Sequence, residues 1–184
     1  TVVANLAARA GSNEISQAEV RVSVQGQAAQ LQQVTLSALQ LQLLLKNQPA
    51  VTVSGSGTYD LASGDADLSV KLDAALATLL AAVPQPGMSI ASGDVVLTAH
   101  VTQKQKTQAV TGDLTLDNFA AHIGQSELQN FGTKIHLDVA NSPQQIQINK
   151  VTGSFSQNGN AGGSFEITGT TKLANLNWGI NAEG

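Results

Sequence analysis

Hydrophobic and polar residues alternate along most of this chain, most plainly in SALQLQLLLKNQPAVTVSGSG at residues 37–57. Leu39, Leu41, Leu43 and Leu45 occupy odd positions, with Gln40, Gln42 and Lys46 between them; only Leu44 breaks the order. Leu, Gln and Ala favour helix by propensity. A helix would scatter these leucines, whereas a strand gathers them on one face. The same period of two runs through Val20, Val22 and Val24, then Val51 and Val53 leading to Gly55 and Gly57. Leu68, Val70 and Leu72 follow an ASGD turn signal, and Val95, Leu97, Ala99 and Val101 follow a second ASGD at 91–94. Leu114 and Leu116, then Ile135, Leu137 and Val139, then Ile146 and Ile148 repeat it, and Phe165 and Ile167 close it. Leu173 and Trp178 to Ile180 add a possible last edge. The pattern predicts about ten to twelve strands, mostly antiparallel and joined by short turns.

One stretch changes period. In DAALATLLAAVPQPG, Leu76, Leu79, Leu80 and Val83 follow helical spacing, which predicts a short helix over about 74–83. Asp73 is its expected N-cap, and Pro84 and Pro86 its stop. The helix is expected to plug an open end of the sheet or to bridge two halves. A faint echo also runs through VSGSGTYDL, VTGDLTLDN, VTGSFSQNG and ITGTTKL, each with a β-branched residue two places before a glycine. Its unequal spacing argues against a strict solenoid.

Composition narrows the function. Hydrophobic residues make up 42% of the 184 positions and charged residues only 12%, so Gln, Asn, Ser and Thr coat the polar side. A net charge of −4 without a basic cluster argues against nucleic acid. The absence of Cys removes disulfides and most structural zinc sites. No apolar run reaches the roughly 20 residues of a membrane-spanning helix. The first residue is not Met, which suggests a processed form or a segment of something longer.

Candidate chemistry is sparse. His100, His122 and His136 lack metal-ligand spacing, and His100 and His136 fall opposite the aliphatic phase, so solvent is their expected surrounding. Asp60, Asp65 and Asp67 cluster at a turn, and Asp113 and Asp117 flank Leu114 to Leu116. A calcium site or a carboxylate pair wants such groups, but the EF-hand spacing is absent and turn aspartates are commonly structural. Neither GxSxG nor a phosphate loop occurs. Tyr59 and Trp178 are too few for a stacking platform. The expectation is therefore a non-enzyme with no metal and no cofactor. The aliphatic face must be covered, either by a second layer in a β-sandwich or barrel or by a ligand lying in an elongated curled sheet, a β-groove. Periodicity does not choose between them.

The succession ASGDADLSVKLD, ALATLLAAVPQPG, SIASGDVVLTAHV, VTGDLTLDNF, LQNFGTKIHLDV, INKVTGSF and GGSFEITGT resembles the C-terminal part of AsmA/TamB-like proteins over residues 34–182. The resemblance implies a segment of a large periplasmic envelope protein, anchored in the inner membrane and related to bridge-like lipid transfer proteins. It implies phospholipid acyl chains as ligand, inner- and outer-membrane proteins as partners, and a role in phospholipid transport or outer-membrane homeostasis. The lining it implies is Leu39, Leu41, Leu43, Leu45, Val51, Val53, Leu68, Val70, Leu72, Leu97, Val101, Leu114, Leu116, Ile135, Leu137, Val139, Ile146 and Ile148. The contrasting expectation is a structural or adhesive surface module with a closed core.

Overall fold

The computed structural model describes residues 1–10, 13–29, 32–82 and 87–172. Ten strands form one sheet in simple sequence order: β1 (Val2–Ala10), β2 (Asn13–Ala29), β3 (Gln33–Leu45), β4 (Gln48–Asp60), β5 (Ala66–Ala75), β6 (Met88–Lys104), β7 (Thr107–Ile123), β8 (Ser126–Asn141), β9 (Gln145–Gln157) and β10 (Asn160–Lys172). Every neighbouring pair is antiparallel, as the short connections require. The single helix, α1 (Leu76–Ala82), lies between β5 and β6. Strands of 13 to 17 residues in β2–β4 and β6–β10 are about two to three times the usual length.

The all-β, elongated architecture agrees with the periodicity. The strand order is open, with β1 and β10 at its two edges, and an elongated β-groove is consistent with it. The sandwich alternative does not form: all ten described strands belong to one sheet. The protein exposes 12381 Å² for 18.9 kDa, whereas a compact monomer of that mass exposes about 8,300 Å². Among the described residues few apolar side chains are buried: Ala18, Leu44, Leu45, Ala50 and Ala121. The stability of such a sheet rests on its cross-strand pairs more than on a central core.

Three local expectations change. The helix begins at Leu76, because β5 continues to Ala75 and keeps Asp73 in the ladder opposite Thr52 and Val96. Asp73 therefore caps nothing; its carboxylate meets Lys71 Nζ at 2.9 Å. Val83, Pro84 and Pro86 lie outside the described residues, as do Leu173 and Trp178 to Ile180. The second ASGD is not a turn. Residues 91–94 sit inside β6, where the register shifts on both sides of Ser92 and Gly93 takes φ +149°. That is a β-bulge, which accommodates an extra residue in one strand without ending it. In the first ASGD, at 62–65, Gly64 adopts φ +75° in a true turn between β4 and β5.

Glycine recurs inside strands for a packing reason. A Cβ on Gly112 would lie 2.8 Å from the Thr98 carbonyl oxygen, and one on Gly57 would run into the Asp67 carbonyl. A Cβ on Gly153 would strike the Phe165 ring. The echoed glycines at 55, 112 and 153 thus mark places where a neighbouring strand or ring comes close.

Candidate functional site

The register converts the one-dimensional alternation into continuous apolar rows. One row runs across all ten strands: Val2, Val22, Leu41, Val53, Leu72, Leu97, Leu114, Ile135, Gly153 and Phe165. Beside it on one flank lies Val20–Leu43–Val51–Ala74–Val95–Leu116, with Leu45 next to Ala18 beyond. On the other flank lies Val24–Leu39–Gly55–Val70–Ala99–Gly112–Leu137–Val151–Ile167. A further row holds Leu68, Val101, Val110, Val139 and Ile148, and Ile146 pairs with Asn141 at the margin. Because facing residues in a ladder share a side of the sheet, every residue of the expected lining stands on one face. Ten strands spaced about 4.8 Å apart make that face roughly 43 Å wide.

Its cover is uneven. At one margin Leu79 and Ala82 of α1, together with Leu43, pack against the cluster of Ala18, Leu45 and Ala50, leaving Leu45 at 8% exposure and Ala50 at 1%. Away from the helix no second layer exists among the described residues. Leu68 and Val70 are each 38% exposed, and Val24 and Ile167 more so. The plug expected of the helix is therefore local, over one margin of β3–β6.

The periodicity missed one feature of this face. Phe131 and Phe155 stack with centroids 6.4 Å apart, and Phe155 meets Phe165 at 6.1 Å. Phe119 faces Phe131 across β7 and β8 and reaches the space over Gly93 beside Leu76. All four phenylalanines of the chain thus gather on the apolar face of β7–β10. Phe131 and Phe155 do keep the odd phase of their strands, so the signal was available there. Phe119 is out of phase with Leu114 and Leu116 because a bulge at Asp117 and Asn118 intervenes, with Asn118 at φ +54°.

The opposite face carries the polar chemistry. A concavity of about 580 Å³ lies among Gln40, Ser54, Ser69, Lys71, Thr98, His100, Thr111, Asp113 and His136. His136 Nδ1 sits 2.8 Å from Asp113 Oδ1. His100 Nδ1 lies 3.1 Å from Ser69 Oγ and 3.7 Å from Asp67 Oδ1. Serine and aspartate approach the same ring nitrogen, whereas a nucleophile relay needs them on opposite nitrogens. Both histidines are half exposed, as their phase predicts. No cluster of three metal-ligating side chains exists among the described residues.

The turn aspartates hold backbone. Asp60 Oδ1 accepts hydrogen bonds from the Ala62 and Ser63 amides at 2.9 and 2.8 Å, which hold its carboxyl below the usual range. Asp65 Oδ1 accepts one from the Gln105 amide at 2.8 Å, tying the β4–β5 turn to the β6–β7 turn. Both are accounted for by loop geometry.

Comparison with known protein families, curated proteins and solved structures finds no match to this chain.

Proposed function

We propose that this chain is a non-enzymatic, lipid-binding segment of an AsmA-like envelope protein, holding phospholipid acyl chains against the apolar face of its sheet. The observation that carries this reading is an apolar row crossing all ten strands with no second layer of the described chain upon it. Water against so much apolar surface is unfavourable, and each methylene buried there is worth about 0.8 kcal/mol. The lining is almost wholly aliphatic, with no buried polar side chain among the described residues, so it suits a flexible hydrocarbon and selects little among tails. The headgroup then stays in water. Periplasmic placement, membrane-protein partners and transport between inner and outer membranes follow from the sequence resemblance and belong to the same proposal.

Mass spectrometry of organic extracts tests it, using the chain purified from a bacterial periplasm without detergent. Stoichiometric phospholipid is the expected result. A lipid-free, monodisperse protein would overturn the reading and favour a structural surface module.

A further inference from the structure

We infer that a bound phospholipid lies along the strands, its chain ends toward α1 and its glycerol esters at the far margin, beside Tyr59, Gln103, Gln108 and Asn141. This inference rests on the lipid-binding reading above and gives it a direction. The apolar face ends differently at its two margins. On β5, β6 and β7 four successive rows of that face hold only Ala, Gly, Val and Leu: from Ala74 to Leu68, from Val95 to Val101 and from Leu116 to Val110. The fifth row is polar. Tyr59 pairs with Ala66, Ala66 with Gln103, Gln103 with Gln108 and Gln108 with Asn141, so the register keeps these side chains on the apolar face. Gln108 Nε2 donates to Gln103 Oε1 at 3.0 Å, and Gln103 Nε2 donates to the Gly64 carbonyl at 3.1 Å. Tyr59, the only tyrosine of the chain, is 43% exposed. Past this row the strand ends and turns carry Asp60, Asp65, Lys104 and Lys106, charges of both signs.

The other margin is walled. Leu79 and Ala82 of α1 pack there on the buried cluster, and Leu76 lies over Gly93 beside Phe119. From wall to rim the face passes from covered and apolar, through open and apolar, to hydrogen-bonding and then charged. A phospholipid has the same order from methyl end to headgroup. Tyrosine suits the ester level, where its ring meets hydrocarbon and its hydroxyl meets water. The lengths agree as well. Val95 and Val101 lie about 20 Å apart along β6 at the usual strand rise. Half the hydrocarbon thickness of a bilayer, the reach of one acyl chain, is about 15 Å. A chain laid across the strands would instead run between Val2 on β1 and Phe165 on β10, with no polar row at either edge. An apolar protein layer would leave the amides and the phenol facing a dry surface. The ester and phosphate oxygens of a lipid accept hydrogen bonds from them.

The chain has no Cys, so a single introduced cysteine carries a fluorophore to a chosen position of the full chain. Val95→Cys lies near the wall, Gln103→Cys at the rim, and Thr98→Cys on the polar face beside Lys71 and Asp113. Each labelled variant is mixed with phosphatidylcholine bearing a nitroxide quencher either near the glycerol or near the methyl end of its chain. The label at Gln103→Cys is expected to lose more fluorescence to the first lipid and the label at Val95→Cys more to the second. The label at Thr98→Cys is expected to lose little to either. The same order at both apolar sites, a reversed order, or quenching at Thr98→Cys as strong as at Val95→Cys would overturn the inference while leaving lipid binding in place. No quenching at any site by either lipid would overturn the lipid-binding reading and this inference with it.

Discussion

Leu45 and Val70 stand on the same face of the same sheet, yet they live in different surroundings. Leu45 lies under α1 with Ala18 and Ala50, 8% exposed, in the nearest thing this protein has to a core. Val70 lies farther along the strands with 38% of its surface open and nothing described above it. Local sequence does not distinguish them, since both sit in alternating aliphatic runs. What separates them is the helix, which covers one margin and leaves the remainder of the face to solvent or a ligand. The same residue types thus serve stability in one place and are free for binding in the other.

Charge substitution breaks this comparison most sharply. Leu45→Asp buries an unpaired carboxylate and is expected to cost roughly 3 kcal/mol or more, enough to unfold much of the protein. Val70→Asp can hydrate its carboxylate and should cost clearly less, about 1 kcal/mol, from the poor strand preference of Asp. Urea titration of the two variants measures this, and equal losses would erase the distinction. Truncation gives the milder version: Leu45→Ala should cost about 2–5 kcal/mol as a buried Leu, and Leu68→Ala clearly less, because its site is already partly solvated.

Backbone contacts come next. Gly57→Ala brings a methyl against the Asp67 carbonyl and Leu68, so β4 or β5 must shift, at an expected cost of about 1–3 kcal/mol. Gly64→Ala meets no atom but must hold φ +75°, at roughly 1–2 kcal/mol. Thermal melts of the pair separate crowding from backbone strain, since a smaller residue at Leu68 should recover part of the first loss, leaving the Asp67 carbonyl contact, and none of the second.

The smallest effect is expected at Asp60. Its carboxyl is held below the ordinary value of 3.8 by the Ala62 and Ser63 amides, so the folded state favours the carboxylate. Its stabilisation is complete above that ordinary value and fades as pH falls through the lower, folded one. The stability gap between wild type and Asp60→Ala should therefore be constant near neutrality and close in acid. A gap that widens on acidification would refute the assignment.

Much of this fold was written in the alternation. The phase of Leu39, Val53, Leu97 and Ile135 assigns the face correctly because a period of two survives any antiparallel register that keeps the apolar side together. Features that depend on three-dimensional neighbours were less legible. The two ASGD segments share every residue, yet one turns and the other bulges, since the second lies between strands that continue on both sides. Asp73 looked like a cap because the strand-to-helix boundary depends on ladder pairing with Thr52 and Val96, which the local residues do not reveal. Of the phenylalanine cluster, only Phe119 was hidden by a bulge; Phe131, Phe155 and Phe165 keep the phase of their strands. That the apolar face away from α1 has no second layer among the described residues is a property of the whole sheet and of no single segment.

The central claim is that the uncovered apolar face, and not the polar one, takes hydrocarbon. Site-specific photocrosslinking in the envelope of living bacteria tests this most directly, with the photoreactive residue placed in turn at Val70, Leu97, Thr98 and Leu45. Thr98 pairs with Lys71 and Asp113 on the polar face, one position along the strand from Leu97. The account predicts phospholipid adducts from Val70 and Leu97, and none from Thr98 or from Leu45 beneath the helix. Adducts at Thr98 equal to those at Leu97, or none at any apolar position, would contradict it.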